Sequence, residues 1–462
     1  MSIRKSLPFL GVFAILGVAA YAAYYMGWFA RDAENAAEMA RARENPLEQR
    51  PAAAPGTGWF QWRGPTRDGR APEGKFRTDW DKNPPKLLWK ADTLGGASRP
   101  LGGGYSSPVV VGDSVYIQDY KDGKERVVCL EAETGKFRWE TSFDANYTGT
   151  DKQYAIGPRA TLTVEGNTLY VVSGAGKLLR IDKPADGPAV PTWQHDFLAD
   201  FDAKIPQWGV ACSPLVEGDL VIVQPGGKTG SVVAFDKVTG EVRWRAGTSA
   251  SGYSSPVVTS INGERTVFAL TGDSLLAIRT SDGKVMATYP WNTKYEGNVA
   301  TPLVVENYVF ISSAYQQGCA LLRAEGKGGQ VNLTEVYARR GRGYQNHHSS
   351  SVFKDRYLFG YDGMMGSARL KCVDFHTGRE KADWEADALG TGSGSIILAG
   401  NHLIIQTERG DLALVEATAE EFRLVAKIPK VLTGNNNWAT PTLVDGRLYL
   451  RDEVKVLCFD LR

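Results

Sequence analysis

The chain has 462 residues, 43% of them hydrophobic, with 51 glycines, 12 tryptophans and five cysteines. Its 53 basic and 52 acidic side chains nearly cancel, which argues against a nucleic-acid partner, since such proteins carry a basic footprint. Abundant glycine and tryptophan suit an all-β chain with many tight turns.

Residues 7–30 (LPFLGVFAILGVAAYAAYYMGWFA) carry no charge, follow Arg4 and Lys5 and precede Arg31. As a helix they would span ~36 Å at ~1.5 Å per residue, enough for a bilayer's hydrocarbon core. Tyr24, Tyr25 and Trp28 gather at the far end, where aromatic rings favour the interface. Residues 1–30 therefore read as a single-pass anchor in the inner membrane, its N-terminus held cytoplasmic by Arg4 and Lys5, with the rest exported to the periplasm. Ala20-Tyr21-Ala22 offers the spacing of a signal-peptidase site, which would leave a soluble periplasmic protein, but the apolar run continues beyond it. No cysteine lies nearby to take a lipid.

Residues 31–58 combine a polar helical stretch (RDAENAAEMARARENPLEQR, 31–50) with a linker, PAAAPGTG. Residues 59–83 begin WFQWRGPTRDG and read as a strap packed on the outside of the following domain, its arginines serving to dock it.

From residue 84 to 462 one phrase recurs roughly every 48 residues. Clear copies are GYSSPVVVGDSVYIQ (104–118), CSPLVEGDLVIVQ (212–224), GYSSPVVTS (252–260), ATPLVVENYVFIS (300–312) and ATPTLVDGRLYL (439–450). Each unit supplies four short runs rich in β-branched and aromatic residues, separated by turn residues, which is the pattern of a propeller blade. Alignment places Pro108, Leu162, Pro214, Pro256, Pro302, Ser351, Ile396 and Pro441 in equivalent positions, giving eight blades. The last unit ends after its third strand (VKVLCFDLR), and KLLWKAD (86–92) matches the fourth strands VRWRAG (242–247) and DWEAD (383–387). The predicted fold is thus an all-β, eight-bladed β-propeller of four-stranded antiparallel blades. Its ring is closed by an N-terminal strand, which removes an exposed edge, and one transmembrane helix precedes it. Cys129, Cys372 and Cys458 share one repeat position with Ala234 and read as small core residues rather than disulfide partners.

The tails AFDKVTGEVRW (234–244) and CLEAETGKFRW (129–139) resemble the pyrroloquinoline-quinone (PQQ) repeat family of β-propellers, and WRGPTRDG (62–69) looks like a lead-in found in exported members. The resemblance implies one of two functions. Quinoprotein dehydrogenases bind PQQ with calcium in the central funnel and oxidise alcohols or sugars. Non-enzymatic propellers such as the outer-membrane assembly lipoprotein BamB hold protein partners. The dehydrogenase pattern includes adjacent cysteines and a Glu, Asn and Asp set, whereas this chain has no Cys-Cys pair and no calcium loop. The chain therefore leans toward the BamB-like kind, with no catalytic residues, metal or cofactor expected and PQQ with calcium kept for the alternative.

Loops leading into each innermost strand should crowd one mouth of the funnel. They offer Tyr105, Arg159, Trp208, Tyr253, Glu296, Asn298, His347, His348, Asn437 and Trp438 as candidate ligand-binding residues. Glu296 is the one carboxylate among them, thin provision for calcium, which takes six or more oxygens. Consecutive histidines on a strand face opposite ways, so His347 and His348 chelate one metal only if the loop bends. The loops 118–126, 224–231 and 361–369, with Met364 and Met365, are further candidate contact surfaces. Function is expected to be protein binding or scaffolding at the cell envelope. The alternatives are a quinone-dependent oxidoreductase, or a carbohydrate-binding propeller resting on Tyr105, Trp208 and Trp438.

Overall fold

The computed structural model of the chain describes residues 53–54, 57–92, 103–147, 150–151, 157–184, 189–341, 343–434 and 436–462. The stretches 7–30 and 31–50, and the membrane anchoring read from them, lie outside these residues. Among the described residues no helix is long and apolar enough to cross a membrane.

After β1 (Lys86–Ala91), blade I holds β2 (Val109–Val111), β3 (Ser114–Lys121), β4 (Lys124–Glu131) and β5 (Phe137–Asp144). Blade II is β6 (Thr163–Glu165), β7 (Thr168–Val172), β8 (Lys177–Asp182) and β9 (Pro191–Asp196). Blade III is β10 (Leu215–Glu217), β11 (Leu220–Val223), β12 (Val232–Asp236) and β13 (Val242–Ala246). Blade IV is β14 (Val257–Ile261), β15 (Glu264–Leu270), β16 (Ser274–Arg279) and β17 (Val285–Pro290). Blade V is β18 (Leu303–Val305), β19 (Tyr308–Ser313), β20 (Gly318–Lys327) and β21 (Gln330–Arg339). Blade VI has β22 (Val352–Lys354), β23 (Tyr357–Asp362) and β24 (Arg369–Asp374). Blade VII is β25 (Ser395–Ala399), β26 (His402–Gln406), β27 (Leu412–Glu416) and β28 (Leu424–Ile428). Blade VIII joins β29 (Thr442–Val444), β30 (Arg447–Arg451) and β31 (Val456–Asp460) to β1, which lies antiparallel to β31 with Trp89 opposite Cys458. Eight blades and closure by the N-terminal strand are as expected.

Blade VI departs from expectation. DWEAD is not a strand: the backbone after β24 pairs with it at a Val373–Glu380 bridge, with the Lys381 amide on the Cys372 carbonyl at 2.9 Å, and no regular ladder continues from there. Trp384 then turns inward to pack on Phe359 and Phe422, its indole N–H on the Thr418 carbonyl at 2.8 Å. The indole thus keeps its inter-blade place between blades VI and VII although the regular outer ladder is absent.

The repeat's Trp and Gly join neighbouring blades. A Cβ on Gly135 (blade I) would come within 2.5 Å of the Trp89 ring of blade VIII, and one on Gly283 (blade IV) within 2.7 Å of Trp244 of blade III. Both glycines also sit at positive φ, so each is required twice over, by its turn and by the indole against it. The hydroxyls preceding the aligned prolines form a head-to-tail belt around the channel. The Thr440 amide donates to Ser107 Oγ, the Ser107 amide to Thr161 Oγ1, the Thr161 amide to Ser213 Oγ and the Ser213 amide to Ser255 Oγ, all at 2.9–3.0 Å. All five cysteines are buried free thiols, and burial pushes those of Cys372 and Cys458 up to about 12.

The strap is not on the outside. Trp59 exchanges backbone hydrogen bonds with Val110 in β2, the Phe60 carbonyl accepts from Val164 in β6, and Gly69 and Ala71 pair with Leu398 in β25. The Arg63 guanidinium donates to the Ser350 and Ser351 carbonyls of blade VI at 3.0 and 2.7 Å, and Arg67 to those of Ser213 and Pro214 of blade III at 3.1 and 3.0 Å. These partners belong to innermost strands, or the residues leading into them, on opposite sides of the ring, so residues 59–71 plug the channel. The channel lining offers carbonyls that only donors can satisfy, and a planar guanidinium fork reaches two at once. Burial lowers both arginines to about 10, which leaves them charged at neutral pH.

Candidate binding site at the channel mouth

In an antiparallel blade the chain reverses at each strand, so turns after the second and fourth strands emerge on the same face. On that face Tyr105, Arg159, Trp208, Tyr253, His347, His348 and Trp438 line one cavity of about 260 Å³. The other three candidates do not. Asn298 is fully buried, its amide donating to the Thr271 and Trp291 carbonyls at 2.7 and 2.9 Å while its oxygen accepts from Ser313 Oγ. Asn437 is equally buried and ties down the Glu408 and Gly434 carbonyls. Glu296 is exposed on a 3-10 turn and stays off the cavity wall.

Trp62, Asp151, Ser213, Ser255, Tyr315 and Met365 also line the cavity. Trp62 comes from the plug and forms the floor, its indole N–H on Thr301 Oγ1 at 2.8 Å. Tyr315 and Met365 come from turns after second strands. The antiparallel alternation itself announces that those turns share the mouth, and it was the signal available for finding them.

The aromatic wall is nearly continuous. Ring centroids lie 6.4 Å apart for Trp208–Tyr315, 5.3 Å for Tyr315–His347, 3.9 Å for His347–His348, 4.0 Å for His348–Trp438 and 4.9 Å for Trp438–Tyr105. The loop does bend at His347-His348, and the two rings stack on the same side. Because His347 Nδ1 accepts from the Met365 amide at 3.3 Å, its proton sits on Nε2, which faces the Tyr315 hydroxyl at 3.1 Å. Burial lowers His347 to about 4; it lowers His348 well below the usual range too, with further depression from His347 and Arg159. Both rings are neutral at pH 7. The Arg159 Cζ lies 5.1 Å from the centre of the Tyr105 ring, and Nη1 reaches the Gly157 carbonyl at 3.3 Å. Glu408 orients the wall from behind: one oxygen accepts from Trp438 Nε1 at 3.0 Å, the other from the Gly366 and Ser393 amides.

Beside the mouth, Glu125 is wholly buried and accepts from Ser173 Oγ at 2.9 Å and from the Tyr147 hydroxyl. Burial raises its carboxyl to about 7 against those hydrogen bonds. A larger groove of about 640 Å³ between blades VI and VII opens on the other face, lined by Lys354, Asp355, His402 and Glu416 among others. Lys354 and Asp355 already pair at 2.6 Å, and the groove's lining is mixed in charge and less aromatic.

Residues 79–196 and 154–381 match the family model described as outer membrane protein assembly factor BamB. The chain belongs to that family. Among solved structures similar to this BamB-family chain, BamB from Moraxella catarrhalis is 14% identical with a TM-score of 0.51, the match covering 77% of this chain and 94% of that one. Quinohemoprotein alcohol dehydrogenase from Comamonas testosteroni is 15% identical with a TM-score of 0.61, covering 88% and 81%. The quinohemoprotein alcohol dehydrogenase ADHIIG from Pseudomonas putida HK5 is 13% identical with a TM-score of 0.55, covering 88% and 80%. At such identities the likeness establishes the fold. No curated protein matches the chain in sequence.

Proposed function

We propose that this chain is a protein-binding propeller of the cell envelope, held at the membrane through its N-terminal apolar segment. The supporting observation is the chemistry of the mouth: an aromatic wall, two neutral histidines and, among the described residues, one guanidinium around a cavity of about 260 Å³. Interface cores favour such aromatic and Arg side chains. The quinoprotein alternative requires PQQ and a calcium held by several oxygens. Among the described residues Asp151 is the one carboxylate lining the cavity, and no three His, Cys, Asp or Glu side chains gather as metal ligands. That donor set does not fit the group. A carbohydrate ligand is the second reading, favoured by the convergence of Tyr105, Trp208 and Trp438 on one cavity.

The test places a photoreactive phenylalanine analogue in the full chain in membranes, at the exposed mouth residues Tyr295 and Met365. Val238, exposed on the opposite face, serves as the control position. A discrete protein adduct from the first two and none from the third is expected. Stoichiometric binding of PQQ with Ca²⁺ and substrate-dependent dye reduction would overturn the proposal, and saturable binding of a defined glycan would favour the second reading.

A further inference from the structure

We infer that the mouth is a dead-ended socket for the C-terminal residue of a partner chain, an apolar or aromatic one, with its carboxylate received by Arg159. This rests on the protein-binding reading and goes beyond it by naming what is bound. Residues 59–71 close the channel beneath the cavity, and Trp62 is pinned as its floor. A chain that enters cannot leave at the far side. An internal segment would have to enter and return through the same opening, and the cavity of about 260 Å³ is too small for two passes. It falls just under the ~300 Å³ lower end of small-molecule sites, so it suits a single large side chain.

Charge selects the polar end of that residue. Among the described residues of the lining, His347 and His348 are neutral and Arg159 is the one basic side chain, with the Asp151 carboxyl group in the same wall. An aromatic enclosure alone would suit a quaternary ammonium ion, but a guanidinium already over the Tyr105 ring repels a second cation. Arg159 also feels the Asp151 charge, so an arriving carboxylate shares the fork with that neighbour. A free terminal carboxylate can engage a guanidinium through two parallel hydrogen bonds, which a backbone amide cannot do.

A second observation marks the rim as built for contact. Tyr295 and Glu296 both hold positive φ (63° and 51°), as do Tyr315 and Gln316 (59° and 65°). Bulky residues avoid this region, and paired left-handed positions normally go to Asn or Gly. Here the strained backbone sets the Tyr295 and Tyr315 rings around Trp208, with Tyr295–Trp208 and Tyr295–Tyr315 centroids 5.6 and 5.7 Å apart. Tyr295 nonetheless remains 42% exposed. Strain retained at an exposed aromatic cluster points to binding rather than to packing.

The test uses the full chain in detergent and a ten-residue Gly/Ser/Thr peptide ending in Phe. The peptide is offered as the free acid, as the C-terminal amide, and extended by Gly-Ser-Gly. Binding is read by calorimetry and by tryptophan emission, since Trp62, Trp208 and Trp438 all line the cavity. The acid is expected to bind roughly tenfold or more tightly than the other two. In Arg159→Gln the acid and amide should bind alike, with an unchanged melting curve, and Arg159→Lys should restore part of the preference. The acid–amide comparison on the unaltered protein needs no variant. Equal binding of acid, amide and extended peptide would overturn the socket and leave the protein-binding reading standing. So would absence of any peptide binding alongside a rim photo-adduct. Binding of PQQ with Ca²⁺ in the cavity would overturn both.

Discussion

Replacing Trp89 by alanine tests whether the ring is held at its seam by one indole. Trp89 is 8% exposed, lies against Gly135 of blade I, meets Tyr449 at 5.9 Å and donates to the Ala132 carbonyl at 3.0 Å. Removing a buried Trp side chain costs about 3–5 kcal/mol. The Tyr449 hydroxyl also reaches the Ala132 carbonyl, at 3.3 Å, so that acceptor keeps a partner and the loss should fall near the lower end, about 3–4 kcal/mol. Trp244→Ala is the matched control: this indole sits in the same register, opposite Ala234, and donates to the Thr280 carbonyl at 2.8 Å between two blades that are continuous in sequence. The local losses should therefore match, but their reach should not. In Trp89→Ala, hydrogen–deuterium exchange should rise across β1, β31 and on into blade I. In Trp244→Ala it should rise only where blades III and IV meet. Equal melting temperatures with exchange confined to one interface in both variants would refute the idea that β1 closes the ring cooperatively.

Arg63→Lys replaces a fork spanning two carbonyls with a point donor, and should destabilise the protein by about 2–3 kcal/mol. Tryptophan emission should shift to the red as the Trp62 floor loosens; an exposed Arg409→Lys control should change neither the melt nor the emission. Glu125 gives a pH signature. Its carboxyl is raised from the ordinary 4.5 to about 7, so between those values the unfolded chain loses this proton while the native protein keeps it. Stability from this residue therefore falls as pH rises through that window, by about 3 kcal/mol in total. Glu125→Gln removes the loss, and its denaturation midpoint should gain on the parent protein between pH 5 and pH 8. A constant difference across that range would show that Glu125 does not titrate there.

The ring was legible because its signals are local and repeated. The blade count came from the Pro108–Pro441 series, and closure came from Trp89 matching Trp244. DWEAD misled because Trp384 does keep the repeat's inter-blade contact, while the backbone that should pair beside it does not. The strap's place was hidden because Trp59, Arg63 and Arg67 make their bonds to residues on both sides of the ring, which no local pattern reports. The mouth was partly legible: Arg159, His347 and Trp438 stand in loops that face it. Asn298 and Asn437 stand in the same loops, but their amides serve buried carbonyls, and exposure cannot be read from loop position alone.

Blade VIII also imposes an order on the making of the protein. Of the described strands β1 is synthesised first and its partner β31 last, so Leu87 and Trp89 wait without their ladder partners until every other blade has been made. A prematurely terminated chain can never finish that sheet. It presents an open edge to proteases or to its own copies, and so the fold carries a built-in check on its own completeness.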